Sequence, residues 1–329
     1  MSASTRSAAR LGDPAGPRGA VDLLRPRIPT DHNEAMVELD GHRVRLTNLR
    51  KVLWPQAGVT KGMLLQYYLD VAWVALPHLA ERPMVMKRYP NGVSGKYFVM
   101  KRAPSPRPKW IRTCTVAGAA SGGEFAVVDD SASLAWAVNL GCIELHPWPL
   151  RCGDVERPDV LLFDIDPGDA PFELAREASL LLHAALDRMQ LANYVKTSGD
   201  RGLHVVVPIE YGPLQRETWA FARVLAREIA EEHPKLLTSG TAPARTAGRV
   251  SIDYGANVRG HTLASVYSVR AASRATVSTP VTWEEVEQGF HAEQFRVDNV
   301  PARLRRVGDL WAPLSPDAPS RSALPRAEA

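Results

Sequence analysis

Residues Val160–Asp166 read Val-Leu-Leu-Phe-Asp-Ile-Asp, and Pro167-Gly168 follow at once. A short apolar run ended by a Pro-Gly signal reads as a buried strand. Alternate residues of a strand share a face, so Asp164 and Asp166 project together. Asp169 is placed to cap a helix with Pro171 in its first turn and apolar spacing through Leu174, Leu181, Leu182 and Leu186. A second strand is expected over Asn193–Thr197, then a turn over Gly199–Gly202, then a third strand over Leu203–Ile209. Leu214–Glu232 has amphipathic helical spacing, and Arg249–Tyr254 reads as a fourth strand.

The order β-α-β-β-α-β is the split plan of ferredoxin-like and RNA-recognition folds. It predicts an α+β protein in which the first strand lies between the third and fourth and both helices cover one face. Asp253, on the fourth strand, then falls beside the first. Two neighbouring carboxylates repel and are costly to bury without a cation between them. Three converging on an uncovered sheet face suit oxygen coordination of Mg²⁺ or Mn²⁺, and a two-metal centre activates a hydroxyl while holding a leaving phosphate. A haloacid-dehalogenase-type phosphatase also uses paired Asp residues, but wants them in a DxDx[TV] context, where this chain has Pro167-Gly168.

The second chemical element is Lys196-Thr-Ser-Gly-Asp-Arg-Gly-Leu-His204. The backbone N–H groups of such a glycine-bracketed turn can cradle phosphate, with Ser198, Arg201 and His204 supplying further donors. His204, on the third strand, is expected to face the Asp164 strand. Cys142, His146 and Cys152 offer three zinc-type donors, but no fourth is close and the spacing fits no common finger.

Composition bounds the rest. The 329 residues carry 40 Lys+Arg and 36 Asp+Glu, a net of +4, which excludes a uniformly basic coat. That small total hides segregation. Gly41–Arg112 holds 14 Lys/Arg against 2 Asp/Glu, and Thr113–Asp187 holds 3 Arg against 13 Asp/Glu. The expectation is a polyanion-binding lobe beside a metal-binding lobe. Three cysteines without CxxC spacing point to a reducing cytoplasm. No apolar stretch approaches the ~20 residues of a membrane span, so no membrane partner is expected. Residues 1–35 lack hydrophobic periodicity and read as a flexible tail. Residues 36–158 read as a basic α/β module and 159–300 as the catalytic module. Residues 301–329, with five prolines, read as a second flexible tail after a short Leu/Trp patch.

Several of these segments together carry a family resemblance. LLFDIDPG (161–168), KTSGDRGLHVVVPI (196–209), RVSIDYGANVRG (249–260) and YSVRA (267–271) resemble the motifs of the archaeo-eukaryotic primase superfamily. Within it, TNLRKVLWP (47–55), the segment from Thr60 to Tyr68, RPMVMKRYPNG (82–92) and CIELHPW (142–148) are similar to the polymerase domain of bacterial DNA ligase D and its stand-alone relatives. The resemblance covers roughly residues 44–283. It implies a primase-type two-lobed core and template-dependent nucleotidyl transfer with two Mn²⁺ or Mg²⁺ ions on Asp164, Asp166 and Asp253. It implies nucleotide contacts from Lys87, Phe98, His146, Ser198, Arg201, His204 and Arg270. Asn48, Lys51 and Lys61 match a pocket for a DNA 5′-phosphate.

The implied partners are gapped or broken duplex DNA and NTP or dNTP, with a DNA ligase and Ku as further candidates, in the bacterial cytoplasm at the nucleoid. Three positions depart from the family pattern. Tyr97-Phe98 stands for paired phenylalanines, Arg245-Thr246 for an arginine seven residues before the third Asp, and Ala256 for a glutamine after it. A binding module without catalysis, on the same scaffold, is the competing reading.

Overall fold

A computed structural model describes residues 26–118, 122–240, 248–315 and 321–325. Val160–Asp166 forms the expected strand. Its Leu161, Phe163 and Ile165 are fully buried beneath the helices Phe172–Arg188 and Gln215–Glu232, and the alternate residues Asp164 and Asp166 face the other way. The first helix presents Ala175, Ala178, Ser179, Leu182, Ala185 and Leu186 to the sheet, mostly small side chains that allow close approach. Its start corrects one expectation. Pro171 occupies the N-cap position, with no side-chain capping bond, and Asp169 caps nothing. A residue before proline is disfavoured in helical geometry, so Ala170 is excluded from the helix, and Ala170 N instead donates to Pro167 O in a turn.

The main sheet has six strands in the order Leu237–Ser239, Val250–Asp253, Val160–Asp166, Leu203–Pro208, Tyr194–Thr197 and Pro280–Val281. The first strand of the split plan thus lies between the third and fourth, as expected. The two outermost strands are additions to that plan. They have three and two residues, too short to carry a period.

Two glycines in the phosphate-type turn are required by crowding. A Cβ on Gly202 would sit 2.2 Å from Ile165 O. Gly199 has φ +75, and a Cβ there would meet Arg270 Cγ at 2.6 Å and Ser278 N at 2.8 Å.

In the N-terminal part, Met84–Arg88 lies between Phe98–Met100 and Cys142–Pro147 in a smaller sheet that also holds Gly123–Ala126 and Thr113–Val116. Helix Lys61–Leu79, capped by Thr60 Oγ1 accepting from Met63 N, packs beside it. The two sheets are stitched by the segment 264–278. Ser265 N donates to Leu145 O (2.8 Å), Ser268 Oγ accepts from Leu145 N (3.0 Å), and Tyr67 Oη donates to Tyr267 O (2.9 Å). This crossing sets Arg270 against the strand that carries Glu144 and His146. Trp148 and Trp136 are core residues, and half-buried Trp110 stacks on His42 at 4.7 Å.

The expected C-terminal tail is also corrected. Val300–Val307 is a helix, Trp311 and Leu314 are buried, and Arg303 pairs with Glu285 at 2.5 Å. Ser322 bridges to the end of the third strand, and Arg321 Nη1 donates to Asp159 O at 3.0 Å. The prolines interrupt periodicity without preventing these apolar anchors from docking. At the N-terminus, residues 1–25 lie outside the described residues. Ile28 is buried with its N–H on Gln66 Oε1 (2.8 Å), and a strand begins at Glu34. Among the described residues, no helix is long and apolar enough to cross a membrane.

Candidate active site

Strand register builds the site. Asp164 pairs directly with Asp253 on one side and with His204 on the other, and His204 pairs with Lys196. A row Asp253–Asp164–His204–Lys196 therefore crosses the sheet on its helix-free face. Asp166 lies two residues along the first strand, opposite Ser251. Backbone amides hold two of the carboxylates: Gly168 N donates to Asp166 Oδ1 (2.9 Å) and Gly255 N to Asp253 Oδ1 (2.5 Å). Burial first, then the charges of Asp166 and Asp253, push the Asp164 carboxyl up to about 7. Asp253 is also raised, chiefly by burial.

Lys196 and Arg270 offset this repulsion only in part, and a divalent cation would complete the compensation. Among the described residues, no three His, Cys, Asp or Glu side chains already close around one point, and Asp166 and Asp253 each turn one oxygen to a backbone amide. Each keeps a second oxygen, and an all-carboxylate donor set suits hard divalent cations such as Mg²⁺ or Mn²⁺. The residues fit such ions.

An open cleft of about 550 Å³ lies over this face, lined by His146, Asp164, Asp166, Ser198, Arg201, His204 and Arg270. The structure thus brings together five of the expected nucleotide residues with two of the carboxylates. Ser198 Oγ accepts from Asp200 N and Gly202 N, both at 3.1 Å, which closes the turn and leaves Arg201 exposed at its tip. Arg201 Nη1 donates to Gly168 O (3.1 Å), and Arg270 Nη1 to Ser198 O (2.7 Å). Lys87 stands one strand away, its Nζ 4.5 Å over the Tyr97 ring. Phe98 is apart from the cleft, 43% exposed, with the Arg88 guanidinium 4.8 Å over its ring. Tyr97 leans on Tyr89 and is 54% exposed, so both rings of the pair keep solvent-facing surface. Ala256 sits in a short 3-10 turn, Gly255–Asn257. Arg245 and Thr246 lie outside the described residues.

Two residues went unassigned at the sequence level. Glu144, 2% exposed, is a hub: Lys87 Nζ (3.3 Å), Tyr89 Oη (3.0 Å), His146 Nε2 (3.0 Å) and Arg270 Nε (3.2 Å) converge on its carboxylate. Burial alone would raise its pKa. His146, Arg270 and Lys87 together hold it well below the usual carboxylate range. The signal available was its i, i+2 spacing from His146 on one strand, which puts both on the same face. Lys196, 3% exposed, is the other, with its ammonium value depressed by burial and by Arg270.

The Asn48, Lys51 and Lys61 group forms a second basic site at the start of helix Lys61–Leu79. Asn48 adopts φ 56, and its carbonyl accepts from Lys51 N (3.0 Å). Lys61 Nζ donates to Thr47 O (2.6 Å), and Lys51 Nζ to Pro90 O (2.5 Å). Burial, then Lys51 and Arg88, pull the Lys61 ammonium down to about 8. Arg88 was not expected here. The zinc alternative is not assembled: Cys142 Sγ donates to Glu144 O within the sheet, whereas Cys152 packs in a separate small core with Cys114.

Comparison with known proteins agrees with this architecture. The family description "LigD, primase-polymerase domain" matches residues 60–311. The multifunctional non-homologous end joining protein LigD of Mycolicibacterium smegmatis is 34% identical over 284 residues, 84% of this chain and 37% of that protein. LigD of Pseudomonas aeruginosa is 30% identical over 272 residues, covering 82% of this chain and 32% of its own length. The chain therefore spans about a third of these relatives. Among solved structures, the polymerase domain of Mycobacterium tuberculosis ligase D in complex with DNA superposes with a TM-score of 0.77 at 31% identity. That match covers 84% of this chain and 99% of that one. By its α+β fold, its motif order and these matches, the chain belongs to the LigD primase-polymerase domain family of nucleotidyltransferases.

Proposed function

We propose that this protein adds nucleotides in a template-dependent manner at short gaps or broken ends of duplex DNA during repair. Both excision-repair gap filling and non-homologous end joining fit this chemistry. Relatives named for end joining and a neighbour solved with DNA support the reading. The observation that carries it is the in-register row Asp253–Asp164–His204 beside a cleft lined with cations.

In this reading Asp164, Asp166 and Asp253 hold two Mn²⁺ or Mg²⁺ ions. Bound divalent ions supply charge neutralisation at the α-phosphate and acidify the primer 3′-hydroxyl. Arg201 and Arg270 pair with the triphosphate, the Ser198 hydroxyl donates to its oxygens, and His204 and His146 orient it. Lys87 adds positive charge at the cleft edge. Phe98 offers a ring for base stacking. Asn48, Lys51 and Lys61 grip the 5′-phosphate across the gap, where a compact ammonium suits a terminal phosphate. NTP or dNTP is the second substrate, and a DNA ligase and Ku are the partners such a product calls for.

Primer extension on a gapped duplex with Mn²⁺ tests the proposal. Wild type is expected to extend, and Asp164→Ala with Asp166→Ala to abolish extension while DNA binding persists. Extension that survives the double substitution would overturn the mechanism. A wild type that binds gapped DNA and incorporates nothing would leave a binding module.

A further inference from the structure

Lys196 is a buried lysine with no role in the reading above, and its hydrogen bonds can be counted. Nζ lies 3.0 Å from Ala264 O, 2.6 Å from Ser278 Oγ and 2.5 Å from His204 Nδ1. Ala264 O can only accept. Ser278 Oγ spends its own hydrogen on Thr197 O (2.7 Å), so toward Lys196 it accepts too. With Lys196 protonated, two of its three hydrogens are thereby committed, and the third contact decides the histidine. On the far side of the ring, His204 Nε2 lies 3.4 Å from Asp164 Oδ1, and once that carboxyl is ionised it only accepts. Both neighbours are satisfied at once when Nζ donates to Nδ1 and Nε2 carries the ring proton. The reverse tautomer turns an Nε2 lone pair on a carboxylate oxygen.

We propose that Lys196 is a positioning residue, which fixes the ring orientation and tautomer of His204 so that Nε2–H is presented to Asp164 and the cleft. The arrangement is the partner-behind-histidine device familiar around metal sites, with a lysine amine in place of the usual carbonyl or carboxylate. Its components are rigid. Lys196 and His204 pair across adjacent strands, Ser278 precedes the Pro280–Val281 edge strand, and Ala264 lies on the segment that stitches the two sheets. Loosening that segment would therefore be felt at His204.

The kinetic part of the test rests on the nucleotide-addition reading, and the spectroscopic part does not. In the full chain labelled with 15N-histidine, long-range proton–nitrogen correlations report each ring's tautomer, and His204→Ala identifies the His204 signals. At pH 8, with the Asp164 carboxyl ionised, the expected wild-type spectrum shows Nδ1 unprotonated and Nε2 protonated, and a protonated Nδ1 would overturn the proposal.

Lys196→Met keeps the bulk and removes the donors. It is expected to give a mixture of His204 tautomers and to lower kcat by about 10- to 100-fold, with the same kcat-to-KM split as His204→Ala. Added to His204→Ala, Lys196→Met is expected to cost nothing further, whereas losses that multiply would sink the idea. If Lys196→Met does not fold, or wild type adds no nucleotide, the wild-type spectrum alone decides.

Discussion

Asp164→Asn is expected to stabilise the metal-free chain while destroying its activity. The folded state raises the Asp164 carboxyl from 3.8 to about 7, through burial first and then Asp166 and Asp253. The folded protein therefore holds this proton more tightly than the unfolded chain. Below pH 3.8 both states are protonated and no penalty exists. As pH rises toward 7 the unfolded carboxyl ionises freely and the folded one resists, so stability is lost progressively and the loss is complete above 7. A displacement of that size has a ceiling of about 4 kcal/mol. The side chain keeps 31% of its surface in solvent, and screening reduces the expectation to about 1–2 kcal/mol. For a chain of this length, that corresponds to a midpoint rise of roughly 2–3 °C.

The assay is thermal unfolding of wild type and Asp164→Asn in EDTA at pH 5 and pH 8, repeated with Mn²⁺. The gap between the two is expected to widen from pH 5 to pH 8. Mn²⁺ is then expected to raise wild type selectively, because ligand binding to the folded state adds stability by mass action. A variant less stable than wild type at pH 8 in EDTA would show that the ionised Asp164 carboxylate is not under a net penalty in the fold. Equal Mn²⁺ shifts for both would show that Asp164 holds no ion.

Three further outcomes are expected. Lys61→Ala should remove the preference for a 5′-phosphorylated over an unphosphorylated gap. Because the buried Lys61 ammonium sits at about 8, that preference should fade as pH rises through this value; equal weakening on both substrates would make Lys61 a general backbone contact. Glu144→Gln, which leaves Lys87, His146 and Arg270 without their shared counter-charge, should cost about 3–5 kcal/mol in denaturant unfolding and raise the nucleotide KM. The Glu144 carboxyl is depressed in the fold, so the stability it contributes is present above its unfolded value near 4.5 and lost as pH falls; an unchanged midpoint at neutral pH would refute the hub. Truncation after Gly308 removes buried Trp311 and Leu314 and should cost at least about 3 kcal/mol, whereas a free tail would leave stability unchanged.

The parts of this molecule legible in the sequence are those where period and chemistry coincide. VLLFDID announces both a strand and its charged face, so strand, register partner and the Asp253 neighbour followed from topology alone. The 301–315 segment was misread because its anchors, Trp311 and Leu314, are isolated between prolines. Isolated anchors dock through tertiary contacts that leave no periodic trace. Asp169 was misread as a cap because the local rule for Asp competed with the stricter rule for the residue before Pro171. Glu144 and Lys196 were invisible for a different reason. Each lies within a motif already quoted, but a hub is defined by what converges on it. Arg270 arrives from over a hundred residues downstream of Glu144, and Ser278 from 82 residues beyond Lys196.

What links these residues is the concentration of buried charge at one junction. Asp164, Glu144, Lys196 and His204 all lie where segment 264–278 ties the smaller sheet to the larger. Each would be destabilising alone, since burial disfavours the charged form of every one. Most of them meet a compensating neighbour: Asp164 faces the ring of His204, Lys196 contacts His204 and two neutral oxygens, and Glu144 faces Arg270, Lys87 and His146. Asp164 beside Asp166 and Asp253 is the junction's concentration of like charge, which Lys196 and Arg270 relieve only in part. A junction that surrounds Glu144 with compensating groups and leaves these three carboxylates under-compensated has a charge distribution that a divalent cation would complete, which makes the carboxylate row, rather than the basic surface, the feature on which the functional reading stands.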